Sequence, residues 1–237
     1  MDKKIIIFSK LNTYFNKNNS KRYQNEINED WLKYRIDLFK NYCLKSIINQ
    51  TNQYFTFLLQ CRQETMPFIQ KTMGDLPENI LLINPTDFHK KIYELSQDYQ
   101  YLYLARVDSD DMWIKYFVDT LHNYYHKKET EILINQKCYN YDIYSGRLAS
   151  FFYKSPQSYV MIYKPEEYKK GFRYTLKRGH GGAILLNHEI LEGYNYMDTV
   201  HNENILKVFK QNNWENWEEI KDSEKIKSIL REFGINK

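Results

Sequence analysis

Unbroken apolar runs alternate with helically spaced ones along the first half of the chain. Lys4 to Ser9 carries Ile5-Ile6-Ile7-Phe8, the composition of a strand buried on both faces, and it empties into Lys10-Leu-Asn-Thr13. Tyr54 to Leu59, Ile80 to Ile83 and Tyr101 to Arg106 read as three further strands. Apolar residues at Trp31, Ile36, Leu38, Phe39, Tyr42, Cys43 and Ile47 keep near-helical spacing, with Asn28 or Asp30 as N-cap, and predict one helix from Trp31 to about Asn49. Asp87 to Gln97 predicts a second. Strand, helix, strand, strand, helix, strand is the order of an α/β domain with a mostly parallel sheet and right-handed crossovers. The Asn/Lys-rich residues 14–28 and the polar stretch Gln60 to Thr65 read as loops.

The pattern then changes. Met112 to Lys127 is amphipathic and predicts a helix, after which Ile132 to Gln136, Cys138 to Tyr144 and Arg147 to Tyr153 read as shorter strands. Ser145-Gly146 supplies a hairpin turn between the last two, and Tyr159 to Tyr163 adds one more strand. A short helix is expected over Ile205 to Lys210, and a capped one over Asp222 to Phe233, closed by Gly234 and pinned by Trp214 and Trp217. With no repeat and no Pro/Gly-rich linker, the expectation is a single domain over 1–237, whose first half, 1–127, is Rossmann-like and whose second, 128–237, is a smaller α+β half.

Composition narrows the function. The chain has 237 residues, 42% of them hydrophobic, enough for one full-sized core. A formal charge of +4 with dispersed lysines argues against nucleic acid and leaves open a weak attraction to anionic lipid or a phosphorylated ligand. Cys43, Cys61 and Cys138 are too widely spaced for a zinc site and fit packing in a reducing compartment. The apolar start is too short for a signal peptide and no run reaches membrane-spanning length, so the expected place is the cytoplasm, with contact at the inner face of the membrane left open. The 22 tyrosines accompany abundant Asn, Lys and Ile, a general bias that says little about sugar stacking.

The chemistry concentrates where the strand Tyr101 to Arg106 ends. Asp108, Asp110 and Asp111 follow it, at the place where open α/β sheets bind ligands. In extended backbone Asp108 and Asp110 point the same way, and two hard oxygens on one side suit Mg2+ or Mn2+ held together with substrate phosphates. The alternative is a solvated acidic turn with Asp111 capping a helix. Arg178-Gly-His180-Gly-Gly182 gathers three of eight glycines into backbone that turns tightly or admits a ligand. His201 and Glu203 stand in a polar stretch that follows Asp198, and His201 reads either as a cap or as a metal ligand.

These ordered features resemble the GT-A glycosyltransferase fold, and in particular the bacterial and viral rhamnosyltransferase family. The resemblance is carried by Trp-Leu-x-x-Arg-x-x-Leu-Phe at Trp31 to Phe39, Ser-x-x-x-Gln-Thr at Ser46 to Thr51, and Arg-Val-Asp-x-Asp-Asp at 106–111. Lys10-Leu11-Asn12 keeps the cation and the Asn of the family's Arg-Phe-Asn and lacks its aromatic. The resemblance implies transfer of a sugar, rhamnose among the candidates, from a nucleoside diphosphate donor to a hydroxyl of a glycan or lipid-linked acceptor. It implies a nucleotide-sugar half at 1–127 and an acceptor half at 128–237. Lys10, Asn12, Arg106, Asp108 and Asp110 would line the donor, and Asp108, Asp110, Asp111 and His201 would hold the metal. Asp198, Glu203 and Glu192 are candidate bases, with His180 on the acceptor wall. A nucleotide-sugar pyrophosphorylase would need a glycine-rich loop after the first strand, and Ser9 to Asn19 has no glycine. A non-catalytic carbohydrate-binding protein has no use for aspartates at a strand's carboxyl end.

Overall fold

The computed structural model describes residues 2–13, 25–177, 179–202, 208–209 and 215–236. Most of the predicted loop 14–28, most of the helix expected over 205–210, Arg178, Glu203 and Trp214 lie outside the described residues. The larger of two sheets is built on β1 (Lys3–Asn12), flanked by β2 (Thr56–Cys61) and β4 (Tyr101–Arg106), both parallel to it. The strand β3 (Ile80–Ile83) lies outside β2. On the other side, beyond β4, come β9 (Tyr159–Tyr163), β6 (Ile132–Ile134) and β10 (His188–Ile190). Only β9 runs against the other six, so the sheet is mostly parallel, as expected.

Side-chain alternation explains why β1 is buried on both faces. Ile5 and Ile7 enter one core with Phe57 and Leu59 of β2 and Tyr103 and Ala105 of β4. Ile6 enters the other with Leu58, Leu102 and Leu104. The first core is covered by α1 (Glu29–Asn41), α2 (Cys43–Ile48), α3 (Met66–Met73) and α5 (Phe117–Asn123). The second is covered by α4 (Phe88–Ser96) and α6 (Pro165–Lys169). Asn28 caps α1 by accepting from the backbone of Asp30 and Trp31 at 3.0 Å each. The single helix expected over 31–49 is two helices, because Tyr42 (φ −124°, ψ −77°) leaves helical geometry between them.

The second sheet holds β12 (Glu215–Ile220), β8 (Leu148–Phe152), β7 (Lys137–Asp142), β11 (Tyr194–Val200) and β5 (Met112–Trp113), in that order. The predicted hairpin forms β7 and β8, with Gly146 at φ +72° in its turn. The helix expected from Met112 starts only at Phe117, since Met112 and Trp113 pair with Met197 and Tyr196 of β11. The last helix, α7 (Ser223–Glu232), has Asp222 as N-cap and Gly234 at φ +83° beyond its end, as read from the sequence. Trp217 packs against the first core and donates to the Phe209 carbonyl at 3.1 Å. The boundary at 127 does not separate the sheets: β6, β9 and β10 join the larger one, and β5 joins the smaller. No helix among the described residues is long and apolar enough to cross a membrane.

Candidate active site

The chain builds β1, β2 and β3 outward in one direction and returns to place β4 on the opposite side of β1. The crevice at that reversal lies beyond the carboxyl ends of β1 and β4, where Lys10 and Arg106 stand. Phe8 pairs with Arg106 and accepts from Val107 N at 3.1 Å, so the two strand ends are held level. Arg106 donates to Asp108 Oδ1 at 2.5 Å and to the Gln157 carbonyl at 2.8 Å. Burial opposes its charge, but Asp108, Tyr159, Tyr196 and Asp111 outweigh burial and leave its pKa above the ordinary value.

The acids do not project from extended backbone. Asp111 N donates to Asp108 O at 3.0 Å, closing a turn over 108–111, so each carboxylate leaves in its own direction. Asp108 is partly exposed beside Arg106. Asp110, 5% exposed, accepts from Arg35 Nη1 at 3.3 Å and lies 2.8 Å from His201 Nε2, both through Oδ2. Asp111 is fully buried and accepts from Thr199 N at 2.9 Å and from the Tyr196 hydroxyl. These contacts of its carboxylate join the turn to β11. Asp111 caps no helix, since β5 follows it.

Asn12 is held in the same way, by buried hydrogen bonds. It is 1% exposed, and its amide donates to Glu26 O and Thr65 Oγ1 at 2.9 and 2.8 Å while accepting from Arg62 N at 3.2 Å. It locks the end of β1 to the segment after β2. Lys10 is exposed, and desolvation with Arg106 lowers its pKa against the pull of Asp108. Glu192 lies before β11, paired with Lys137 at 3.7 Å, at the opposite end of that strand from Asp198.

The glycine cluster does reach this crevice. Gly179–Leu185 forms a 3-10 helix that carries His180, whose pKa falls to about 4 through desolvation and through Arg106 and Lys10, with Asp108 opposing. His180 is therefore a neutral ring at pH 7, with Nδ1 3.4 Å from Tyr159 Oη. Ser155 Oγ donates to His180 O at 3.0 Å and accepts from Ile184 N at 3.3 Å, fixing the turn. A Cβ on Gly182 would sit 2.1 Å from Lys177 O, a backbone atom, so the backbone itself would have to shift. Gly182→Ala is expected to displace this wall and to cost about 1–3 kcal/mol, measured by thermal melting; an unchanged melting point would refute the close approach.

Asp198 stands on the site face of β11, 7% exposed, with Gln157 Nε2 donating to Oδ1 at 2.7 Å and Tyr196 Oη, whose single hydrogen serves only one of Asp111 and Asp198, 2.7 Å from the same oxygen. The thiols offer no nucleophile, because burial raises Cys43 and Cys138 well above the ordinary value, with Asp111 and Asp198 respectively adding to it. Among the described residues no three His, Cys, Asp or Glu side chains are grouped to hold a metal. Asp110 Oδ2 and His201 Nε2 are nonetheless 2.8 Å apart. Neighbouring ligands of an octahedral ion with bonds of ~2.1 Å are about 3 Å apart, and such an ion takes its remaining ligands from phosphates and water. The same 2.8 Å is that of the hydrogen bond the two groups make with each other, beside Arg35 on the same carboxylate oxygen, so a cation would have to replace that bond. No local pattern singles out Tyr34, Gln157, Tyr159 or Tyr196, and Arg35 stands in a motif without an assigned role.

The model of the family described as putative rhamnosyl transferase matches residues 6–137, more than half of the chain. No curated protein matches. Solved structures give loose likenesses. S. aureus TarS 1-349 has a TM-score of 0.42 at 14% identity, covering 83% of this chain and 60% of its own. The same protein in complex with UDP scores 0.42 at 13% over the same shares. The 4-diphosphocytidyl-2C-methyl-D-erythritol synthase of Anaerococcus prevotii scores 0.41 at 10%, covering 88% of this chain and 92% of its own. The chain thus spans about 60% of the length of TarS 1-349.

Proposed function

The chain belongs to the family described as putative rhamnosyl transferase, and on that premise we propose that it transfers a sugar, rhamnose foremost, from a nucleoside diphosphate donor to a hydroxyl of a glycan or lipid-linked acceptor. One observation carries the reading. Lys10, Arg106 and Asp108, all within 6–137, lie together beyond the carboxyl ends of β1 and β4, and Asp110 follows in the turn that Asp108 opens. The donor's diphosphate lies against Lys10 and Arg106, which oppose the negative charge that develops on the leaving oxygen. Asp110 and His201 would hold Mg2+ or Mn2+, which would supply Lewis-acid stabilisation of that leaving group. Asp198 takes the proton of the acceptor hydroxyl, oriented by Gln157 and Tyr196. The Gln157 carbonyl accepts from Arg106, so one residue ties the donor side to the acceptor side. His180, held neutral, offers a hydrogen bond without adding charge.

The test is thermal stabilisation by UDP, GDP and dTDP, each with and without Mn2+. The expected result is metal-dependent stabilisation by one of the three, about 2.7 kcal/mol at a hundredfold excess over Kd. Stabilisation by free glycans alone would instead support a carbohydrate-binding protein. Asp198→Asn is expected to lower kcat by about 10²–10⁴-fold while nucleotide-dependent stabilisation survives. Undiminished transfer by that variant would remove Asp198 from the reaction.

A further inference from the structure

We propose that Tyr34 and Arg35, consecutive residues of α1, are positioning residues for the two central side chains of the site: Arg35 sets Asp110 and Tyr34 sets His201. The proposal rests on the reading of Asp110 and His201 as the donor-side pair. Arg35 spends its two terminal nitrogens on successive residues of the turn, Nη2 donating to Ser109 Oγ at 2.7 Å and Nη1 to Asp110 Oδ2 at 3.3 Å. A guanidinium is a rigid plane, so two contacts from it fix both the height of the turn and the rotation of the carboxylate. Tyr34 Oη lies 3.1 Å from His201 Nδ1, on the side of the ring opposite the nitrogen that meets Asp110. Leu32, Ile36 and Phe39 are buried in the larger core, so α1 cannot turn about its axis without disturbing that packing, and both contacts inherit its register.

The choice of a phenol has a physical reason. In a neutral imidazole one nitrogen carries the hydrogen and the other accepts. With the Asp110 carboxylate accepting, Nε2 carries the hydrogen and Nδ1 accepts from Tyr34. A cation at Nε2 requires the other tautomer, with Nδ1–H donating, and the Tyr34 oxygen accepts it once its own hydrogen rotates away. A carboxylate or an ammonium at position 34 would serve one state only. Tyr34 lets His201 exchange Asp110 for a divalent ion without moving its ring. Arg35 acts differently, because its charge opposes a nearby cation while its fork orients Asp110.

The full chain tests both residues. Nitrogen-15 NMR of the six histidines in metal-free protein is expected to show one tautomer for His201, and a mixture in Tyr34→Phe. Calorimetric titration with Mn2+ in the presence of UDP should show Tyr34→Phe weakening the metal by about tenfold, and by nothing further in a His201→Ala background. Arg35→Met should bind Mn2+ at least as tightly as wild type yet lose at least ~10-fold in kcat, with the donor KM little changed, as expected when orientation and not uniform binding is lost. Unchanged His201 resonances in Tyr34→Phe, an equal Tyr34→Phe effect without His201, or an undiminished kcat in Arg35→Met would overturn the corresponding half. A wild type that binds no Mn2+ with UDP would sink the proposed function, and the metal-free spectra would still decide Tyr34.

Discussion

Asp110→Asn lowers hydrolysis of the preferred nucleotide sugar by about 10²–10³-fold, the range seen when one preorganised electrostatic group is taken from a transition state. The substitution is nearly isosteric. Its amide oxygen can still accept from Arg35, and only the charge and the second carboxylate oxygen are lost. Because Arg35 and Asp110 are largely buried, with side chains 14% and 8% exposed, some stability goes as well. A loss of about 1–2 kcal/mol is expected, a few degrees of melting temperature for a chain of this size. The decisive measurement is turnover across a donor panel at a temperature where both proteins are folded. A variant that hydrolyses its donor as fast as wild type would show that Asp110 is not at the reacting end of the molecule.

Asp111→Ala has the opposite profile, although only one residue separates the two changes. Thr199 N–H and the Tyr196 hydroxyl would lose their shared acceptor in a fully buried position. Removing one member of such a network costs about 3–5 kcal/mol, or roughly 6–20 °C in melting temperature. Asp111→Asn, which can still accept at one oxygen, should fall between. Cys138 and Cys43 lie beneath the same carboxylates, so a loosened network should also make these buried thiols react faster with a soluble thiol reagent. An Ala variant with wild-type stability would contradict the description of Asp111 as the joint between the turn and β11.

How far the sequence could be read depended on what buries each element. Strands buried by apolar side chains were legible, β1 and β4 above all, and so was the hairpin turn that Gly146 allows. Tyr194-Asn-Tyr-Met-Asp-Thr-Val200 was not, because Tyr196, Asp198 and Thr199 are buried by hydrogen bonds to partners 40 to 90 positions away. No local pattern records such partners. β5 is two residues long and exists only through its pairing with β11. α3 was missed despite a signal, since Pro67 at its first turn is a helix-start residue. The region of the site was legible, because acids after an apolar strand mark a carboxyl edge. Its orientation was not: the alternation rule holds for extended backbone, and Asp108–Asp111 is a turn.

The passage of the chain from Asp111 directly into β5, and of β9 back beside β4, bears on how this chain could be re-engineered. A fragment ending at 127 would leave the edge of β4 bare, with a row of unpaired amides and carbonyls ready to recruit another copy. Exchanging the region after 127 for that of a relative would also replace the strands that β4 and β5 pair with. The proposed site is therefore more safely altered through loop substitutions than through chimeras.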